Sequence, residues 1–155
     1  MFEFVPIQEK DLPFLIEVRN ECRDFLHDNR TFTLADCQAW FRETRPNFYL
    51  VLLDGVPIGY LRLSRHDMKS SSIYVGMDLH HQFRGRGLAQ QAYAAFWPIL
   101  KERYQVSTAK LEVLSHNVAA QRLYQKLGFS ETARLPRYAE RDGRAVDSII
   151  MSKPL

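Results

Sequence analysis

One junction restricts the fold of this chain more than any other. Ile73 to Leu79 is rich in β-branched and apolar residues and reads as a buried strand. Leu88 to Tyr104 reads as a helix, with an apolar stripe of Leu88, Ala92, Ala95, Phe96, Ile99 and Leu100. Between them lies a short loop, His81-Gln82-Phe83-Arg84-Gly85-Arg86-Gly87. A strand end joined to a helix start in this way makes an anion site. The first helical N–H groups have no partner inside the helix, and the helix dipole is positive there. Gly85 and Gly87 lack Cβ, so the backbone can take unusual φ angles and let a ligand come close. Arg84 and Arg86 add charge, and a guanidinium can hold a phosphate through two hydrogen bonds. The junction predicts a phosphate or pyrophosphate cradle at mid-chain; a tight turn without a ligand is the alternative for a lone Gly-x-Gly.

Two familiar cradles are excluded. The phosphate-binding loop of nucleotide hydrolases needs Gly-Lys-Ser/Thr, with the hydroxyl on magnesium. Here Gly87 is followed by Leu88 and Ala89. The dinucleotide fingerprint needs a Gly or Ala three residues after its second glycine. That position is Gln90.

The rest of the chain supplies a mixed set of elements. Phe2 to Ile7 alternates apolar and polar and reads as a first strand. Asp11 with Pro13 starts a helix that carries Leu12, Leu15, Ile16 and Val18 to about Asn20. Thr33 and Asp36 form a capping-box-like start to a second helix, which runs to about Glu43 and buries Leu34, Cys37, Trp40 and Phe41. Asp54-Gly55 joins strands Phe48 to Leu53 and Val56 to Leu63, a strong hairpin signal. Gly59 marks a bulge or a close approach, and Arg65 to Ser72 reads as a polar loop. Pro98 predicts a kink in its helix or a break near Trp97. Thr108 to Leu114 is a fifth strand, parallel to the cradle strand because a helix joins them. Asn117 caps the next helix, which ends at Gly128, and a turn at Asp142-Gly143 precedes a last strand, Val146 to Met151.

Length and composition bound the partners. At 155 residues the chain reads as a single domain, 1–155, with enough apolar residues for a sizeable core. A net charge of +3 suits an anionic small molecule and gives no concentrated basic face for nucleic acid. The two cysteines, Cys22 and Cys37, have no paired spacing, so neither a disulfide framework nor a zinc site is expected. The N-terminus has no basic leader, and Leu88 to Leu100 is too short and too polar to span a bilayer. A cytoplasmic protein without membrane contact follows from these features.

A second signature follows the cradle: Leu111-Glu112-Val113-Leu114-Ser115-His116-Asn117-Val118-Ala119-Ala120-Gln121-Arg122-Leu123-Tyr124-Gln125-Lys126-Leu127-Gly128-Phe129. With Gln82-x-x-Gly85-x-Gly87 it resembles the GNAT superfamily of acyl-CoA-dependent N-acetyltransferases. The resemblance is close from Ile73 to Phe129 and loose elsewhere. It implies an α/β fold with a six- to seven-stranded mixed (α+β) sheet, about four helices and a central parallel strand pair. It also implies acetyl-CoA as cosubstrate, no metal, and an amine acceptor attacked directly, with no acyl-enzyme because Cys22 and Cys37 lie far from the motifs. Homodimerisation is compatible with it. A non-catalytic acyl-CoA sensor on the same fold is the alternative.

The resemblance assigns roles by position. The loop amides from Arg84, Gly85, Arg86, Gly87, Leu88 and Ala89 bind the pyrophosphate, and main-chain groups near Met77 and Leu79 pair with the pantetheine arm. Asn117 caps its helix and touches the cofactor. Tyr124 meets the leaving thiolate; core packing is its other reading. Glu112 is the candidate base, since a carboxylate in a buried strand needs a partner or a function; a Glu facing a lysine or arginine is the alternative. Asp78 is a second candidate base or a loop cap. His80, His81 and His116 read as surface or loop residues. The N-terminal region, with Val18-Arg19-Asn20-Glu21, Trp40 and Gly59-Tyr60, loosely resembles the branch that acetylates ribosomal-protein N-termini, amino sugars or polyamines.

Overall fold

The hairpin at Asp54-Gly55 sets the register of the N-terminal half. Both residues take left-handed backbone angles, which match the twist of a two-residue turn, and Leu53 faces Val56. The computed structural model describes all residues from Met1 to Leu155. In chain order it contains β1 (Phe2–Pro6), α1 (Leu12–Glu21), α2 (Leu34–Thr44), β2 (Asn47–Leu53), β3 (Val56–Asp67), β4 (Ser72–Leu79), α3 (Leu88–Tyr104), β5 (Thr108–Leu114), α4 (Val118–Lys126), β6 (Ser130–Arg141) and β7 (Arg144–Pro154). Short 3-10 turns at Glu9–Asp11, Arg23–Phe25 and His81–Phe83 link them.

The strands form one seven-stranded sheet in the order β1-β2-β3-β4-β5-β7-β6. Only β4 and β5 run parallel. This is the mixed sheet with a central parallel pair that the sequence predicts. Alternation along β3, β4 and β5 sends Leu61, Leu63, Ile73, Val75, Ala109, Leu111 and Val113 to one face, where they pack with α3 residues Tyr93, Phe96 and Leu100. Ala120, Leu123 and Tyr124 of α4, and Leu127 just after it, lean on the same core. The opposite face carries Tyr60, which joins Leu12, Leu15 and Val18 of α1 and Cys37 of α2. Burying one such leucine is worth about 1.5–3 kcal/mol.

Local signals behave as read, with exceptions. Thr33 and Asp36 close a reciprocal capping box at 3.1 and 3.0 Å. Gly59 lies opposite a register shift in β2 and against the carbonyl of Asp78, where a Cβ would sit 2.2 Å away. Pro98 does not break α3, which runs unbroken to Tyr104 because the proline lies on its exposed side. The polar stretch predicted as a loop from Arg65 to Ser72 shrinks, since β3 continues to Asp67 and β4 begins at Ser72.

Candidate active site

The central parallel pair is incomplete. β4 and β5 pair at only three rungs, Ser72 with Thr108, Ile73 with Ala109 and Tyr74 with Lys110. Beyond these, β4 stays on β3 as far as Leu79 and β5 stays on β7 as far as Leu114. The two strands therefore splay towards their C-terminal ends, a feature that composition does not reveal. The His80 N–H bonds the Ile58 carbonyl at 2.8 Å, so His80 turns towards β3. By alternation Asp78 and Gly76 turn the same way, and Met77 and Leu79 turn their main-chain groups into the gap. The Leu79 carbonyl there already accepts from Arg84 Nε at 2.8 Å, which leaves its N–H.

The loop after β4 has the anatomy of an anion cradle. Gly85 and Gly87 sit at φ +71° and +74°, and a Cβ on Gly85 would meet nothing within 4 Å. The first α3 bond runs from Gln91 N–H to the Gly87 carbonyl. No carbonyl or side chain of the chain accepts from the N–H groups of Gly85, Arg86, Gly87, Leu88, Ala89 or Gln90. These amides, at the positive end of a 17-residue helix, are available to an anion. Arg84 departs from the expected part. Its amide already bonds the His81 carbonyl at 3.4 Å, and its guanidinium turns to Leu79, Glu21 and Cys22. Arg86 stays on the surface beside Phe83.

On the α1/α2 side of the gap lies a cavity of about 520 Å³. β3, β4 and β5 form its floor with Tyr60, Arg62, Ser64, Tyr74, Gly76 and Glu112. Its roof is α1, α2 and the segment between them. Glu112 faces an arginine: Arg65 Nη2 lies 2.7 Å from Oε1, and the Arg65 guanidinium stacks over Tyr74 at 3.9 Å. His27, which sequence reasoning missed, places Nε2 3.4 Å from Glu112 Oε2 and 2.8 Å from Ser148 Oγ. Burial holds the His27 imidazole below its ordinary range, against the pull of Glu112. No local pattern marks His27; only the return of the 26–33 segment over β5 makes it a site residue.

Tyr124 approaches from the opposite face. Its ring stands edge-on to Tyr93 at 6.3 Å and to Phe129 at 6.0 Å. Burial raises its phenol, while the charges of Arg62 and Asp78 act on it in opposite directions. The buried Tyr93 hydroxyl and Asp78 Oδ2 have no hydrogen-bond partner. Asn117 caps α4, with Oδ1 accepting from Ala120 N–H at 3.2 Å.

The three histidines read as surface or loop residues lie in the loops after β4 and β5; His80 is the buried one, with Nε2 3.2 Å from Glu17 and its ring beside Phe14. His81 is exposed and pairs with Glu21 at 2.8 Å; His116 is half-buried, with Nε2 3.0 Å from the Asp24 carbonyl. Glu21, His80 and His81 converge within 4.8 Å, but Arg84 already sits on the same carboxylate. Cys22, distant in sequence, lies 3.1 Å from Arg84 Nη2, yet burial and the nearby Asp78 carboxylate push its thiol up to about 12. It is no thiolate nucleophile at neutral pH.

Residues 12–129 match the model of the acetyltransferase (GNAT) family. An N-alpha-acetyltransferase of Sulfurisphaera tokodaii is 29% identical over 125 residues, covering 74% of this chain and 72% of its own. The crystal structure of spermidine N-acetyltransferase from Vibrio cholerae, in complex with CoA and spermine, superposes with a TM-score of 0.90 at 16% identity, covering 99% of this chain and 95% of its own. Ribosomal-protein-alanine N-acetyltransferase from Brucella melitensis gives 0.80 at 20% identity, covering 100% and 99%. At these identities the structural likeness concerns the fold.

Proposed function

The chain belongs to the acetyltransferase (GNAT) family and is an acetyl-CoA-dependent N-acetyltransferase, and from that premise we propose how its residues divide the reaction. The diphosphate of acetyl-CoA lies on the amides of Gly85, Arg86, Gly87, Leu88 and Ala89. The pantetheine arm follows the inner edge of β4 past Met77 and Leu79, and the thioester enters the gap between β4 and β5. The observation that carries this reading is the three-rung pairing of β4 with β5, beside a loop of unengaged amides.

The acceptor enters from the cavity on the α1/α2 side. Its ammonium gives a proton to Glu112 or to the neighbouring neutral His27. The free amine attacks the thioester carbonyl, the C–N bond forms and the C–S bond breaks. The CoA thiolate takes a proton from the Tyr124 phenol, which is protonated at neutral pH. Cys22 and Cys37, both raised by burial, support direct transfer without an acyl-enzyme. Asn117 positions the start of α4 beside the arm.

A protein α-amine, an amino sugar and a polyamine are the acceptor classes considered. The names of the relatives support the first and the last. Two free cysteines accord with a cytoplasmic location, and no helix is long and apolar enough to cross a membrane. A homodimer would form along β6, an edge strand on which Leu135 and Tyr138 are exposed. The deciding experiment is thiol release from acetyl-CoA against a panel of amines, with CoA binding measured in parallel. Thiol release with at least one amine is expected; CoA binding with no turnover for any amine would favour a sensor.

A further inference from the structure

We propose that the acceptor carries an anionic group, a carboxylate or a phosphate, close to its amine, and that Arg62 is the residue that binds it. This deepens the N-acetyltransferase reading and rests on it. The starting point is how the charges of the cavity are already used. Asp28 is held by Arg30 through two bonds of 3.0 and 2.7 Å. Glu112 is held by Arg65 at 2.7 Å. A polycation entering this cavity finds both carboxylates on its walls already occupied by guanidinium groups.

The arginines are not equivalent. Arg19 spends its guanidinium on the carbonyls of Asp28 and Arg30 and lies over Phe32 at 4.3 Å. Arg30 is committed to Asp28 and Arg65 to Glu112. The Arg62 guanidinium makes no hydrogen bond; its charge partner is Asp78, whose Oδ2 also lacks a hydrogen-bond partner. Its Nε is buried without a partner, and Nη2 stops 3.6 Å from Asp78 Oδ2, beyond hydrogen-bond length. A guanidinium offers five N–H donors, and leaving buried ones unmade is costly. A bound anion supplies the missing acceptors at the floor of the cavity.

The strand register prepares the place. Arg62 pairs with Gly76 of β4, and a Cβ at that position would lie 2.6 Å from Arg62 Nη2. The guanidinium therefore lies over bare backbone, one strand away from the gap. Glu112 stands on β5, beyond the last β4–β5 rung, so the anion site and the candidate base face each other across the splayed gap. A compact acceptor spans that gap, such as an α-amino acid or a phosphorylated amino sugar.

The test compares matched acceptors by thiol release from acetyl-CoA. One pair is L-methionine and L-methioninamide; the other is glucosamine 6-phosphate and glucosamine; spermidine is the polycation. At least one anionic member is expected to exceed its neutral partner about ten- to a hundredfold in kcat/KM, mainly through KM. The pair that responds separates carboxylate from phosphate. In Arg62→Gln the ratio should fall towards one, and Arg62→Lys should recover only part of it, since it restores charge without the fork. Gly76→Ala, which keeps Arg62 but displaces its guanidinium, should lower the same ratio and serves where Arg62→Gln fails to fold. Preference for spermidine or for both neutral members overturns the proposal while acetyl transfer stands, as does a ratio that survives in all three variants. Bound CoA with no thiol released for any amine refutes the N-acetyltransferase reading itself, and this inference with it.

Discussion

Tyr124 and His27 are the two residues where environment decides chemistry. The Tyr124 phenol is protonated at neutral pH, as an ordinary phenol is, and burial raises it further; that is the state required of a donor to a thiolate. Tyr124→Phe removes that donor and keeps the ring contacts with Tyr93 and Phe129. We expect kcat to fall about a hundredfold, as for loss of a general acid, with the dissociation constant for CoA unchanged. Equal turnover by Tyr124→Phe, measured by thiol release, would reduce the residue to packing. His27 titrates the other way. Burial lowers its pKa below the ordinary value of about 6.5, so in the window just under that value the unfolded chain binds more protons than the folded one. Stability from this group is therefore complete above about pH 6.5 and is lost as pH falls towards the depressed folded value. The thermal midpoint should drop as pH falls below about 6.5, and His27→Gln should flatten that drop. An unchanged slope in the variant would exclude His27 as its source.

The elements whose signals are local are also the ones that the sequence makes legible. The capping box of α2, the Asp54-Gly55 hairpin and the Gly85–Gly87 junction each depend on residues within a few positions. Pro98 shows the limit of such signals: its penalty depends on which side of α3 faces water, which the packing of Phe96 and Leu100 decides. The triad of Arg65, Glu112 and His27 joins three segments far apart in the chain, and the Arg62–Gly76 contact needs the β3–β4 register. None of these has a local pattern to read. The turn of Arg84 towards Cys22 is equally long-range. At the cradle itself, Gly85→Ala places a side chain at φ +71°, a conformation that costs about 1–2 kcal/mol for an L-residue. Nothing crowds the added methyl, so the loop would relieve the strain by rotating its backbone, and its unengaged amides with it. The expected result is a rise in KM for acetyl-CoA of about tenfold, corresponding to about 1.4 kcal/mol, with kcat retained. Unchanged KM would mean that the diphosphate does not depend on this loop.

At the scale of the whole molecule, the gap between β4 and β5 makes folding and cosubstrate binding two parts of one equilibrium. A sheet that pairs at three rungs and then opens leaves main-chain groups of Met77 and Leu79 without a strand partner. Acetyl-CoA or CoA can supply partners along the arm and, through its diphosphate, occupy the amides at the start of α3. These two sites lie on different elements and exist together only in the folded chain, so the ligand binds the native state alone. At one hundred times its dissociation constant such a ligand stabilises the native state by about 2.7 kcal/mol. For a domain of this size that corresponds to a rise in thermal midpoint of about 5–10 °C. Pantetheine, which carries the arm but no diphosphate, separates the contributions. If the cradle dominates, pantetheine at equal concentration should move the midpoint by less than a quarter of the CoA shift, and added salt should shrink the CoA shift by screening the diphosphate. A midpoint that responds equally to both compounds would place the binding energy in the strand gap, and one that responds to neither would remove both sites from the reaction.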